Sequence, residues 1–341
     1  MGKEQKIEIS PNIIWKTILI LLVLSFLYYI KDILLLLFLS IIIVSAAEPI
    51  IDTIEARKIP RILAVVLLYM FFILLFVLVL SIVVPTLTEE MQLVGKALPE
   101  YLTGINDFTK NITDLAATYH FEENINTIFS NSSNSLTNSV TSIFSNTLDF
   151  LVGIFRALVV FSLAFYMLIK KDGTKTFISA IIPREKHREK VISLVKRIQT
   201  KMGRWLIGQF SLMFLIFLLE FIALSILQVP FALILALLGG LLEIVPYIGP
   251  LAAFVPAVLL AATVSPWTAF FVALAYIIIQ QIENHLIVPL VMKKAVGLNP
   301  VVIILSLLIG ARLAGVQGII LAVPFVTAAE VILDDFLNKK E

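Results

Sequence analysis

The chain contains no cysteine and little charge. Its 341 residues include 26 Lys or Arg and 24 Asp or Glu, so charged residues make up 15% and the formal net charge is +2. The absence of cysteine excludes disulfides, thiolate metal ligands and cysteine nucleophiles. The small net charge argues against a nucleic-acid partner. Because the HExxH, GxSxG and GxxxxGK[ST] patterns are also missing, the sequence predicts no enzyme, no cofactor and no metal site.

Apolar residues dominate instead. Hydrophobic residues make up 60% of the chain and the mean hydropathy is +1.01, whereas soluble domains are about 45–50% apolar. A helix needs about 20 apolar residues to cross a bilayer. Five runs of suitable length are predicted to be transmembrane helices, at 13–30, 33–51, 62–84, 150–169 and 205–227. The sequence therefore indicates an all-α, polytopic integral membrane protein.

The last hundred residues contain shorter apolar runs. They lie at 231–245, 251–264, 268–282, 301–313 and 318–333. Short or Gly/Pro-interrupted apolar segments are typical of the half-helices and re-entrant hairpins of secondary transporters. We expect about eight membrane segments in total, some of them broken.

Loop charge predicts the topology. The segment 170–204 holds eleven Lys or Arg against three acids, and the link 52–61 adds three more basic residues. The segment 85–146 holds two lysines against seven acids. Positive-inside reasoning places both basic links and the N-terminus in the cytoplasm and the acidic segment outside. The five predicted regions are 1–85, 86–148, 149–170, 171–204 and 205–341.

Two of these regions have amphipathic patterns. Apolar residues recur at steps of three and four within 86–148, which predicts an extracytoplasmic helical hairpin. It packs on itself in one interpretation and forms a subunit contact or outer vestibule in another. The basic region 171–204 alternates apolar and cationic residues, and we expect it to lie along the inner membrane face, where anionic lipid attracts it.

A first candidate site is the stretch 239–250, GGLLEIVPYIGP. Pro246 and Pro250 interrupt helical hydrogen bonding, and Gly249, like the glycine pair at its start, permits close approach. In hydrocarbon, freed backbone groups must face protein or a water-filled cavity. Glu243 lies one turn before Pro246, and intramembrane acids by default mark a solute or ion path. The alternative is a kinked helix whose glycines serve packing, and Tyr247 belongs to the same break.

A second candidate site is the stretch 280–289, in which five polar side chains precede a proline. Helical spacing places one face at Gln280, Glu283 and Asn284, and an adjacent face at Gln281 and His285. The alternative interpretation is a membrane–water boundary, since two lysines follow at 293–294. The residues assigned to this candidate site are Gln280, Gln281, Glu283, Asn284, His285 and Pro289.

Two further charges interrupt apolar runs. Glu220 lies midway through the run 205–227, where an ionised carboxylate is costly unless it is paired, protonated or hydrated. It is a candidate for coupling to protons or sodium, or for an interhelical contact. Arg312 interrupts another run and is a candidate partner for one of the acids.

The chain resembles the autoinducer-2 exporter family of bacterial membrane proteins. The matching motifs, in chain order, are AEP at 47–49, KIPRILAVV at 58–66, FYML at 165–168, KDG at 171–173, WLIGQ at 205–209, VPYIGP at 245–250, QIENHLIVP at 281–289, GLNP at 297–300 and LIG at 308–310. The resemblance implies a bacterial cytoplasmic-membrane protein that forms a homo-oligomer, with a pentamer as one candidate, and an elevator-like mobile part. It further implies export of a furanosyl signal or sodium–proton exchange, since some relatives are assigned to each activity. The resemblance also implies an amide or an acid three residues before the proline, where this chain has Glu243.

These observations predict a secondary transporter that exports a small polar solute, such as an autoinducer-2-type signal, through the two broken stretches. The main alternative is a monovalent cation (sodium)/proton antiporter that uses Glu220, Glu243 and Glu283. A membrane scaffold whose external hairpin binds partners, without transport, is the third hypothesis. The implied partners are a small polar solute, sodium ions or protons, and the lipid bilayer.

Overall fold

The computed structural model describes residues 11–81, 85, 147–171, 173–292 and 299–337, and within these ranges all regular structure is helical. Six helices are long and apolar enough to cross a membrane, and three shorter apolar helices accompany them. The predicted fold class, an all-α polytopic membrane protein, is thereby confirmed. The hairpin predicted at 86–148 lies almost entirely outside the described residues.

The helices follow the apolar runs of the sequence. Because those runs are separated by proline, glycine or clustered charge, each helix ends where its apolar pattern ends. In chain order they are α1 (Pro11–Tyr29), α2 (Lys31–Glu55), α3 (Arg61–Ser81), α4 (Thr147–Ile169), α5 (Gly173–Ile181), α6 (Glu185–Ile226), α7 (Ala232–Leu242), α8 (Ile248–Val264), α9 (Pro266–Ile282), a π-helical turn (Glu283–Ile287), α10 (Val288–Met292) and α11 (Pro300–Leu337).

Helix α6 joins two regions that the sequence analysis had separated. Its 42 residues run without interruption from the basic segment through the apolar run that carries Glu220, a length of about 63 Å. No proline lies within it, and its glycines sit at crossings. At Gly203 a Cβ would overlap the backbone of Ser45, so α6 and α2 cross in direct backbone contact.

One end of the helix bundle carries a charged network, and we call it the basic end. Arg61 donates to Asp52 at 2.8 Å, to Glu55 at 3.1 Å and to the Leu168 carbonyl at 2.8 Å. Lys171 donates to Glu55 at 2.7 Å, and this hydrogen bond raises the pKa of the Lys171 ammonium. The α2–α3 link and the α4–α5 link therefore lie on the same side of the bundle.

Between α7 and α8 the helical path breaks at residues 243–247. Pro246 lacks a backbone donor, and Tyr247 has a φ of 66°, so the α-helical ladder cannot continue there. The chain then reverses so tightly that a Cβ on Gly249 would overlap the Leu242 carbonyl. Helices α7 and α8 thus form a hairpin in contact with each other and, through α7, with α6.

A second break divides α11. The backbone leaves helical geometry at Ala314 and Gly315, and Gly315 has a φ of 57° that favours glycine. The two arms return past each other at Gly310 and Gly318, where a Cβ on either would overlap the other's backbone. Small residues at such crossings let apolar helices approach closely. The separate runs predicted at 301–313 and 318–333 correspond to the two arms of this hairpin.

Candidate functional site

Three acids are buried among the helices of the C-terminal half. Glu220 comes from the middle of α6, Glu243 follows the last turn of α7, and Glu283 begins the π-helical turn after α9. Their side chains and backbones together are only 2%, 3% and 6% exposed, respectively. Acids are almost never this deeply buried unless they are paired or functional. We refer to these three residues as the carboxylate cluster.

The position of Glu220 depends on a glycine in the facing helix. Helix α7 packs along α6, and Gly240 lies against the backbone of Met213 and Phe217. At Gly239 the Glu220 carboxylate rests directly on the α7 backbone, because a Cβ there would overlap Glu220 Oε2. The glycine pair therefore does more than permit tight helix packing. Gly239 supplies the space that the Glu220 carboxylate occupies.

Two side-chain amides form hydrogen bonds at Glu243 and Glu283. Gln209 of α6, itself 3% exposed, donates from Nε2 to the Glu243 carbonyl at 2.7 Å. That carbonyl is one of those freed by the helix break, so Gln209 satisfies a backbone group that would otherwise be unpaired. Gln280 donates from Nε2 to Glu283 Oε2 at 3.0 Å. The Glu243 carboxyl faces Glu283.

Much of the cluster's hydrogen-bonding capacity is unused. The Tyr276 hydroxyl of α9 faces Glu220, yet neither that hydroxyl nor Glu220 Oε2 has a hydrogen-bond partner in the structure, and Glu243 Oε2 has none either. Within the described ranges no Lys, Arg or His forms an ion pair with any of the three acids. Because unpaired buried charge is costly, these carboxylates must hold protons, share them or take up cations.

The surroundings of the cluster are apolar. One apolar core lies on α6, α9 and the π-helical turn and consists of Leu212, Ile216, Ile279 and Ile287. A second apolar core joins α7, α8 and α9 to the end of α6 that follows Glu220. Two carboxylate oxygens have no measurable exposure to solvent. In this conformation these oxygens, Glu220 Oε2 and Glu243 Oε2, are therefore closed to bulk water.

Only some of the polar residues of the second candidate stretch face inward. Glu283 is buried and Gln280 is partly buried, whereas Gln281, Asn284, His285 and Pro289 are exposed. His285 Nδ1 lies 3.0 Å from the Gln281 carbonyl, one turn back along the same helix. Of the six residues proposed in this stretch, the structure thus brings only Gln280 and Glu283 to the cluster.

The first candidate stretch is likewise divided. Gly249 is buried at the hairpin reversal, Pro246 and Pro250 are partly buried, and Tyr247 is half exposed. These residues shape the break that places Glu243. Arg312 is exposed near the break in α11 and forms no ion pair with the cluster or with any other acid in the described chain. The pairing proposed for it is not present in this conformation.

Sequence reasoning did not assign two residues that the structure brings to the cluster, Gln209 and Tyr276. Gln209 had a usable signal, since it is a lone amide in an apolar run and ends the WLIGQ motif. Tyr276 had none, because a tyrosine in an apolar helix is usually a packing residue. Among the described residues no three His, Asp or Glu side chains are arranged to hold a metal ion.

The fold defines the class of the protein: it is a multi-pass helical membrane protein with a buried polar cluster in its C-terminal half. Comparison with known proteins identifies the family: the family model described as "AI-2E family transporter" matches residues 17–338. The chain belongs to this family.

Three bacterial relatives carry transport names. The chain is 28% identical over 289 residues to "Putative transport protein YueF" of Bacillus subtilis, covering 81% of this chain and 77% of the relative. It is 26% identical over 318 residues to "Putative transport protein YrrI" of the same organism, covering 91% and 88%. It is 29% identical over 286 residues to "Putative transport protein sll0060" of Synechocystis, covering 82% and 80%.

Proposed function

We propose that this chain is a proton-coupled secondary transporter that exports a small polar solute, and that the carboxylate cluster is its coupling site. The observation that carries the proposal is the burial of Glu220, Glu243 and Glu283 without a cationic partner among the described residues. Buried acids that serve structure alone are normally paired or fully hydrogen bonded. Unpaired acids beside a broken helix instead mark an ion or solute path.

The geometry suggests how coupling works. Glu220 and Glu243 both contact the C-terminal end of α7, the first at Gly239 and the second directly after Leu242, one turn further on. A proton that binds at one acid neutralises a charge in contact with α7. It therefore changes the free energy with which α7 packs against α6. Because the cluster is closed in this conformation, transport requires the α7–α8 hairpin to separate from α6. A ligand or proton shifts such an equilibrium only through differential affinity for the two states.

Topology completes the proposal. We place the basic end in the cytoplasm, because the positive-inside rule assigns the link 170–204 to that side, and the N-terminus follows. Arg61, Lys171 and the basic half of α6 then face cytoplasmic water. The family supports a location in a bacterial membrane, and the predicted homo-oligomer stays a prediction.

Monovalent cation/proton exchange is the second candidate function. Glu243 and Glu283 face each other next to the carbonyls of the helix break, and carboxylate with carbonyl oxygen is the ligand set that hard cations prefer. In this version sodium displaces protons from that pair. The solute version draws support from Gln209, Gln280 and Tyr276, which add neutral polar groups to the same site.

Proteoliposomes with a trapped pH-sensitive dye test both versions. In the exporter version, we expect a gradient of a labelled autoinducer-2-type furanosyl signal to drive proton movement through the wild-type protein. In the exchanger version, a sodium gradient should drive it. The variants Glu220→Gln, Glu243→Gln and Glu283→Gln keep size but cannot ionise, so each should lower proton movement at least tenfold. Glu189→Gln, an exposed acid on the same helix α6, is the matched control and should leave it unchanged.

The substrate arms separate the candidates. Flux driven by sodium alone selects the cation exchanger, and flux driven by the signal alone selects the solute exporter. If a folded preparation shows neither, or if the three glutamine variants transport like the wild type, the coupling site is refuted and the scaffold hypothesis gains.

A further inference from the structure

A second polar site lies at the basic end, away from the carboxylate cluster. The basic half of α6 and the last turns of α11 border an open cavity of about 380 Å³. Its α6 wall consists of residues spaced three or four apart, so they form one face of the helix. The lining residues are Ser193, Lys196, Arg197, Thr200, Lys201 and Arg204 from α6, with Val331 and Asp334 from α11.

The charges of this cavity are only partly compensated. Arg197 pairs with Asp335, and Lys201 pairs with Glu330 at 2.9 Å, so these two cations hold α11 against α6. Lys196 and Arg204 are exposed and form no ion pair within the ranges that the structure describes. Asp334 alone opposes them in the lining, which leaves an excess of positive charge and an opening for an anion.

The location of the cavity restricts the kind of anion. Arg204 immediately precedes buried Trp205 and the apolar part of α6, so the cavity lies where the membrane-spanning segment meets the aqueous phase. A cationic cavity at this level suits a phospholipid, with its phosphate in the cavity and its acyl chains along the exposed apolar surface of the membrane-spanning helices.

We infer that this cavity is a binding site for the phosphate of an anionic phospholipid headgroup, which Lys196 and Arg204 bind by charge-assisted hydrogen bonds. The hydroxyls of Ser193 and Thr200 are additional lining groups, and Thr200 already donates to the Lys196 carbonyl at 2.9 Å. The site is independent of the carboxylate cluster, so it stands or falls separately from the proposed coupling mechanism.

Native mass spectrometry of the full-length protein, titrated with phosphatidylglycerol in detergent, tests the inference. Lys196→Gln/Arg204→Gln should lower the apparent affinity about thirty-fold, since two basic contacts are lost. The control Arg184→Gln/Lys186→Gln removes the same charge from exposed positions at the start of α6 and should change the affinity less than about threefold. Equal losses in the two double variants would reduce the effect to general attraction and overturn the site.

A second variant excludes misfolding as the explanation. Asp334→Asn removes the acid that opposes the anion, so it should tighten phosphatidylglycerol binding severalfold, a gain that a damaged protein cannot give. An unchanged or weaker affinity in Asp334→Asn contradicts the inference.

Two further ligands identify the source of the phosphate. Phosphatidylcholine, which carries no net charge, should bind at least tenfold more weakly than phosphatidylglycerol, and equal binding refutes recognition of an anionic headgroup. Inorganic phosphate at millimolar concentration should not displace the lipid. If it does so in a manner that depends on Lys196 and Arg204, the cavity is a free-phosphate site and the lipid assignment is wrong.

Discussion

A single methyl group added at Gly239 gives the sharpest test of the carboxylate cluster. In Gly239→Ala the new Cβ would lie 2.6 Å from Glu220 Cδ and 2.9 Å from Oε1, and it would overlap Oε2. Ordinary carbon contacts require about 3.5 Å, so the carboxyl group must move by about 1 Å. Because Glu220 is flexible at its end, it can move without unfolding the helix pair, and we expect a destabilisation of about 1–3 kcal/mol.

The functional effect should exceed the effect on stability. Displacement of a reacting group by about 1 Å can lower a rate about a hundredfold, so we expect proton movement in Gly239→Ala proteoliposomes to fall at least tenfold. Thermal unfolding followed by circular dichroism in detergent gives the stability. Gly153→Ala is the control, because a Cβ there meets nothing within 4 Å. It should leave proton movement unchanged and should not lower the stability, since alanine favours the helix more than glycine does.

A shorter acid provides the rescue. Glu220→Asp withdraws the carboxylate by one methylene, so the double variant Gly239→Ala/Glu220→Asp should be more stable than the sum of the single effects predicts, by about 0.5–3 kcal/mol. Strictly additive effects, or a Gly239→Ala protein with wild-type stability and flux, would show that the carboxylate does not rest on Gly239.

Two other predictions follow from the same helix interface. Gln209→Leu leaves the Glu243 carbonyl buried without its donor and should lower the free energy of unfolding by about 1–3 kcal/mol, measured by denaturation in detergent. Ser211→Ala, which removes only a bond within its own helix, should cost less than about 0.5 kcal/mol, and equal effects in both variants would refute the role of Gln209. Ala236→Cys introduces the sole thiol of a cysteine-free chain at a fully buried position of α7. A membrane-permeant maleimide should label it faster under a proton gradient than without one, and equal rates would contradict an opening of α7 from α6.

The sequence was sufficient to predict the elements that depend on local pattern. The apolar runs gave the long helices, and the breaks at Pro246 and around 314–317 were expected from short, interrupted segments. The acids Glu220, Glu243 and Glu283 stood out because charge is rare in hydrocarbon. Their burial agrees with that reasoning, although their role stays a prediction.

The arrangement of the cluster could not be read in the same way. Spacing on an ideal α-helix placed Asn284 on one face with Gln280 and Glu283, but Asn284 lies within the π-helical turn and is exposed. Tyr276 of α9 faces Glu220 of α6, although the two residues lie more than fifty positions apart in the sequence. Contacts of this kind depend on how helices cross, and helix crossing is decided by tertiary packing rather than by local sequence.

The unbroken course of α6 has a mechanical consequence. Gly203, pressed against the backbone of Ser45, can serve as a fulcrum near the middle of a stiff rod, and Glu220 lies about 25 Å beyond it. A tilt of only about 5° around that fulcrum displaces the carboxylate by about 2 Å, as far as a carboxyl group is wide. Any force on the basic arm of α6 is therefore transmitted, without an intermediate hinge, to the most deeply buried acid of the described residues.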